Sequence, residues 1–199
     1  MNNVKYINGT NARSYVYYSD KTILFDTGTP GSGKKIINYF NERNERPDIV
    51  LITHYHYDHI GGLSKIKELY NPEIYADENE IPVITGINKM KMPKTIPGRL
   101  VSALANFRPV SDIKKTDDLN IDNIKILKTP GHTPGSTSYI IENEKIIVSG
   151  DAIFFKNNIY KINRSFTLDV KMAINSMNII SQYHGYKVMP GHGNEFILK

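Results

Sequence analysis

The segment Thr53-His54-Tyr55-His56-Tyr57-Asp58-His59 places four side chains of metal-ligand type within six positions. Ile49 to Ile52, just before it, is nearly all apolar and reads as a strand buried on both faces. At an extended strand end, side chains i and i+2 point the same way, so His54 and His56 can grip one ion. Asp58 and His59 fall where the chain begins to coil and can face a second. Three further pieces fall at the ends of expected strands: His132 in Thr129-Pro130-Gly131-His132-Thr133-Pro134-Gly135-Ser136, Asp151 in Ser149-Gly150-Asp151, and His192 in Pro190-Gly191-His192-Gly193. Glycine stands beside each ligand, which allows a sharp turn and close backbone approach. Five histidines and two carboxylates suffice for two divalent ions if one carboxylate bridges. The sixth histidine, His184, belongs to no such motif and reads as a surface or capping residue.

The chain has no cysteine. Disulfides, thiolate nucleophiles, zinc fingers and iron–sulfur clusters are thereby excluded, and any metal must be held by imidazole and carboxylate. Zinc suits such ligands, and iron or manganese is also accepted. Two ions about 3.5 to 4 Å apart share a water and depress its pKa toward about 7, giving a hydroxide nucleophile at neutral pH. That chemistry is hydrolysis at a site whose residual positive charge favours anionic substrates.

The elements that must position these groups are short. The chain has 199 residues, 40% apolar and 23% charged, enough for one fully cored domain. Asn3 to Ile7, Ser14 to Tyr18 and Thr22 to Phe25 read as strands. Gly28 to Gly33 then leads into a helix over Lys34 to Arg43. A helix from Leu63 to Leu69 and a strand near Ile74 follow. In the second half, Ile124 to Lys128, Ser138 to Ile141, Lys145 to Val148 and Lys187 to Met189 read as strands. Thr167 is the expected N-cap of a helix running to about Tyr183. Two sheets with helices outside them are the expected α/β architecture. Residues 85–118 stand apart as an insertion, with a helix expected over 98–108 and the basic side chains Lys89, Lys91, Lys94, Arg99 and Arg108. The net charge of +5 permits acidic partners without requiring any. No apolar run approaches the roughly 18 residues of a membrane span, and the N-terminus lacks a signal-peptide pattern, so a soluble, cytoplasmic chain with no membrane partner is expected.

The H-x-H-x-D-H pattern, followed in order by P-G-H-T-P-G-S, S-G-D and P-G-H-G, resembles the metallo-β-lactamase fold superfamily from about Phe25 to Gly193. The resemblance implies a four-layer αββα sandwich of two mixed β-sheets flanked by helices. It also implies that His54, His56 and His132 bind the first metal, Asp58, His59 and His192 the second, and that Asp151 bridges them. Asp58 and Asp151 would then be catalytic as well as ligating. Asp26, in Leu24-Phe25-Asp26-Thr27-Gly28, would hydrogen-bond a metal-bound histidine and fix its tautomer. D-T-G also describes the aspartic-protease turn, but that reading leaves seven ligands unexplained.

The ligand set resembles the glyoxalase II-like and small metal-dependent hydrolase branch, which implies a hydroxide bridging two metals that attacks a small thioester, ester or lactone. Most class B β-lactamases use a cysteine ligand, so its absence argues against antibiotic hydrolysis. The chain stops seven residues after His192, without the C-terminal helices that bind glutathione in glyoxalase II, which favours a compact pocket built from residues 85–118 and the loop from Phe154 to Arg164. Tyr55, Tyr57, Lys156, Tyr160, Lys161 and Arg164 are candidate substrate groups. A nucleic-acid phosphodiesterase of the same superfamily and a mononuclear iron persulfide dioxygenase are the alternatives. No RNA-binding arm is evident, which argues against nucleic acid as partner. A small anionic or neutral molecule is the expected substrate.

Overall fold

The computed structural model describes residues 3–98 and 107–199. The helix expected over 98–108 lies largely outside the described residues. The chain divides into two compact units, Met1–Asn88 with Asn106–Leu119, and Lys89–Ala105 with Asn120–Lys199.

The first unit is built on a six-stranded mixed sheet in the order β1-β2-β3-β4-β5-β6. β1 (Val4–Tyr6), β2 (Tyr15–Tyr18) and β3 (Thr22–Phe25) form an antiparallel meander. β3 then runs parallel to β4 (Ile49–Leu51), β4 to β5 (Glu73–Ala76), and β5 to β6 (Ile113–Lys115). The sequence places residues 113–115 in an insertion, but β6 is the sheet's edge strand, and Val110 just before it is buried. Parallel neighbours require crossovers, and helices supply two of them. Helix α1 (Pro30–Asn41) links β3 to β4, while α2 (Tyr57–Ile60) and α3 (Leu63–Tyr70) link β4 to β5. A short α4 (Ile81–Ile84) follows β5. α1 begins four residues before Lys34 because Thr29 accepts the Ser32 N–H at 3.2 Å and Pro30 supplies the preset φ of a first turn. Its Gly33 meets Gly62: a Cβ on Gly33 would lie 2.7 Å from the Gly62 Cα, so neither position tolerates a side chain. That contact locks α1 against the turn carrying the histidine motif.

The second unit holds a five-stranded mixed sheet. β7 (Ile124–Lys128), β8 (Thr137–Ile141) and β9 (Ile146–Gly150) form an antiparallel meander. Two further strands continue the chain as a hairpin, β10 (Phe154–Lys156) and β11 (Ile159–Lys161). Its turn is Asn157-Asn158, both at positive φ, the pairing a two-residue type I′ turn demands. Helix α5 (Val170–Ser181) then returns the chain to β12 (Lys187–Pro190), which lies parallel to β9. β13 (Phe196–Ile197) closes that edge. Asp169, not Thr167, caps α5, accepting the Met172 N–H at 2.9 Å. Ile140, Ile147, Ile153, Ile180, Val188 and Leu198 fill the core between sheet and helix. Both sheets are mixed and accompanied by helices, so the α/β class expected from the sequence holds. Among the described residues, no helix is long and apolar enough to cross a membrane.

Candidate metal centre

In the first unit the ligand-type residues gather where β4 runs out. His54, His56 and His59 are buried, at 1%, 4% and 0% exposure. The His54 ring lies 4.7 Å from that of His56 and 4.0 Å from that of His59, centroid to centroid. Asp58 is half-buried in the first turn of α2. The Asp26-Thr27-Gly28 turn clasps this segment from the end of β3. Its Thr27 N–H donates to the His59 carbonyl at 2.7 Å, and its Gly28 carbonyl accepts the Gly62 N–H at 3.1 Å.

Hydrogen-bond bookkeeping fixes which ring nitrogens face outward. Asp26 is 2% exposed and accepts three bonds: Thr53 N–H at 2.8 Å, the Thr53 hydroxyl at 2.7 Å, and His59 Nδ1 at 2.7 Å. A carboxylate only accepts, so His59 carries its hydrogen on Nδ1 and presents Nε2. The Thr53 hydroxyl has spent its single proton on Asp26. Toward His54 Nδ1, 3.1 Å away, it acts as acceptor, so His54 also carries its hydrogen on Nδ1 and presents Nε2.

The same logic holds in the second unit. Thr167 Oγ1 donates to the Asn163 carbonyl at 2.8 Å, so it accepts from His132 Nδ1 at 3.3 Å. His132 therefore presents Nε2, and its side chain is almost fully buried. Its loop is pressed onto the start of α5. The Gly131 carbonyl accepts Asp169 N–H at 2.9 Å, and a Cβ at Gly131 would fall 2.2 Å from Ala173 N. Asp151 and His192 follow the ends of the neighbouring parallel strands β9 and β12, tied by Gly191 N–H to the Gly150 carbonyl at 2.8 Å. Nε2 of His132 and of His192 lie 3.4 and 3.6 Å from the same Oδ2 of Asp151. Ligands about 2.0–2.1 Å from a tetrahedral ion stand about 3.4 Å from one another, so these atoms are spaced as a metal would require.

Beside this cluster lies a cleft of about 390 Å³ lined by Asp151 and His192 at one end, by Ile153, Phe154 and Phe155 along its wall, and by Lys156 and Asn163. Of the candidate substrate groups, Lys156 lines it. Tyr55 is buried at 1% exposure, its ring edge-on to that of His56 at 5.5 Å between centroids, so it offers no face to the cleft. Tyr160 serves the fold, its hydroxyl accepting Lys199 N–H at 3.0 Å and its ring packing 5.8 Å from that of Phe196. Tyr57 and Lys161 are half-buried and Arg164 is exposed. His184, outside the cluster, bonds the Lys199 carbonyl through Nδ1. Thr53 and Thr167 escaped the sequence reading; Thr53 adjoins a ligand, but Thr167 is 35 residues from its histidine and reads as a helix cap.

Residues 7–192 match the family model of the metallo-β-lactamase superfamily. The probable metallo-hydrolase YqgX of Bacillus subtilis (strain 168) is 33% identical over 147 residues, 72% of this chain and 66% of that protein. The probable metallo-hydrolase MJ0888 of Methanocaldococcus jannaschii is 31% identical over 193 residues, 93% of this chain and 89% of that protein. Among solved structures, the BLEG-1 B3 metallo-beta-lactamase superposes with a TM-score of 0.78 at 24% identity, covering 98% of this chain and 94% of its own. TTHA1623 in a di-iron-bound form superposes at 0.73 with 21% identity, covering 94% and 91%. Those two likenesses speak to fold. With the His/Asp clusters of its two units, the family match and relatives named as metallo-hydrolases, the chain belongs to the metallo-β-lactamase superfamily.

Proposed function

We propose that the chain is a dinuclear metal hydrolase of a small thioester, ester or lactone. The observation that carries this reading is the donor set: His54, His59 and His132 are each held with Nδ1 engaged and Nε2 turned outward, and Asp151 Oδ2 lies 3.4 Å from that His132 Nε2 and 3.6 Å from His192 Nε2. In this reading, as the motif resemblance implies, His54, His56 and His132 would hold one ion and Asp58, His59 and His192 the other, with Asp151 a shared ligand. When bound, two divalent ions supply water activation and Lewis-acid stabilisation of a developing oxyanion. Imidazole and carboxylate donors favour zinc, with iron and manganese accommodated by the same atoms. Asp58, half-buried, can hold a proton from the attacking water. Asp26 keeps His59 in one tautomer. The apolar wall of Ile153 and Phe154 excludes water from the acyl side of a substrate, and Lys156 can pair with a carboxylate or phosphate on it. This suits a small anionic or neutral molecule in preference to a nucleic acid.

Elemental analysis of protein purified without chelator, then a panel of thioester, lactone, phosphodiester and β-lactam substrates, tests the reading. Two ions per chain and turnover confined to thioesters, esters or lactones is the expected result. Well under one ion per chain, with no hydrolysis after zinc reconstitution, would overturn it.

A further inference from the structure

The backbone of the ligand segment poses a problem that the sheet does not solve. β4 ends at Leu51 and its neighbour β5 at Ala76. The Ile52 N–H still finds a backbone partner, the Tyr75 carbonyl, at 2.9 Å. Beyond it, two carboxylates take over the work of the ladder. Asp26, following β3, accepts the Thr53 N–H at 2.8 Å. Glu80, following β5, accepts the Tyr55 N–H through Oε2 at 2.6 Å.

Glu80 has 0% exposure. Burying a carboxylate costs several kcal/mol of desolvation, recovered only through good hydrogen bonds. It occupies the N-cap position of α4, where Ser, Thr, Asp or Asn is usual, yet its side chain makes no cap bond to that helix. It reaches instead across 25 residues of sequence to Tyr55. Tyr55 lies between His54 and His56, so the bonded peptide is attached directly to the His54 Cα and lies one residue before His56. Their rings stand 4.7 Å apart at 80° to each other, an arrangement that depends on the backbone between them.

We propose that Glu80 is a positioning residue for the His54/His56 pair, and that its grip on the Tyr55 amide sets how tightly that pair holds a metal. The inference rests on the metal-centre reading above. It acts through reach. Gln keeps an acceptor oxygen at the same distance, whereas Asp keeps the charge but withdraws the oxygen by one methylene, about 1.5 Å.

The test is zinc affinity of the full chain, by competition with a chromophoric chelator, for the parent, Glu80→Gln and Glu80→Asp, beside the melting temperature of each metal-free protein. Glu80→Gln should bind within about 3-fold of the parent, and Glu80→Asp about 10- to 100-fold more weakly, the usual loss when an outer partner of a ligand is removed. A merely structural role would lower both melting temperatures and leave the affinities alike, which overturns the proposal. So would Glu80→Gln binding as weakly as Glu80→Asp. Should Glu80→Asp not fold, NMR of zinc-loaded Glu80→Gln decides: the Tyr55 amide should stay protected from hydrogen exchange and the His54 and His56 imidazole signals should stay near their parental positions, and displaced imidazoles overturn the proposal. A parent chain that binds no zinc, iron or manganese would overturn the metal centre itself, an outcome distinct from a parent that binds and a Glu80→Asp that binds equally well.

Discussion

Asp26→Asn isolates the tautomer logic better than any change to a ligand. Asp26 sits at φ +54, a left-handed conformation that Asn adopts as readily as Asp, so the substitution adds no backbone strain. Oδ1 remains to accept the Thr53 N–H. The other oxygen becomes an NH2 group facing two partners that had been donating to Oδ2, the Thr53 hydroxyl and His59 Nδ1. The hydroxyl must reverse and accept, then turn its proton toward His54 Nδ1. Both imidazoles are driven to place hydrogen on Nε2, where a metal needs a lone pair. Loss of one hydrogen bond to a charged acceptor costs about 1.5–3 kcal/mol of folding stability. Each misoriented histidine costs about 10- to 100-fold in metal affinity, so two together should cost at least 100-fold. Zinc titration gives the affinity, chemical denaturation the stability, and two-dimensional NMR of the imidazole nitrogens the tautomers. Retention of hydrogen on His59 Nδ1, with affinity within 2-fold of the parent, would refute the reasoning.

Three further outcomes follow from separate parts of the molecule. Gly131→Ala places a Cβ 2.2 Å from Ala173 N at φ +128, so it should cost about 2–6 kcal/mol and lower the melting temperature by at least about 4 °C; an unchanged melt contradicts the close packing of the His132 loop on α5. Lys156→Met should raise KM about 10-fold for substrates bearing a carboxylate or phosphate while leaving kcat and neutral substrates unaltered, and equal effects on both substrate types would remove Lys156 from substrate recognition. Burial, reinforced by bonds to Glu45 and Tyr39, raises the Tyr18 pKa well above the ordinary phenol value of about 10. Above that pH the unfolded chain loses this proton while the folded chain keeps it, so stability falls as pH rises past about 10; denaturant melts at pH 9 and 11 should show a smaller fall for Tyr18→Phe.

Much of the fold could be read because its signals are local. The apolar run Ile49 to Ile52 and the meander of Ile124 to Val148 announce strands by composition, and the expected and observed elements differ there by a residue or two. The sequence reading failed where an element is too short to show a period. β6, β10, β11 and β13 have two or three residues each. The β10–β11 hairpin could have been found by its Asn157-Asn158 turn, a local signal that went unused. Thr167 and Asp169 compete for the cap of α5 on equal propensity, and what decides is that Thr167 is committed to Asn163 and His132.

The ligands and the groups that aim them differ in the same respect. His54, His56, Asp58 and His59 share one turn of chain, and His132, Asp151 and His192 each stand beside glycine, so type and spacing mark them without any tertiary information. Their orientation is set by partners 25 to 35 residues away: Asp26 for Thr53 and His59, Glu80 for Tyr55, Thr167 for His132. No periodicity links such pairs, because each bond joins segments far apart in sequence. Tyr55 is the instructive case on the other side. Its ring is buried edge-on to that of His56 at 5.5 Å, beyond the end of β4, where strict alternation no longer holds. What the sequence reading lacks is the acceptor for its amide. A strand end that leaves its ladder orphans its N–H groups, which then require acceptor oxygens from the adjoining strand ends, and Asp26 after β3 and Glu80 after β5 supply them to Thr53 and Tyr55.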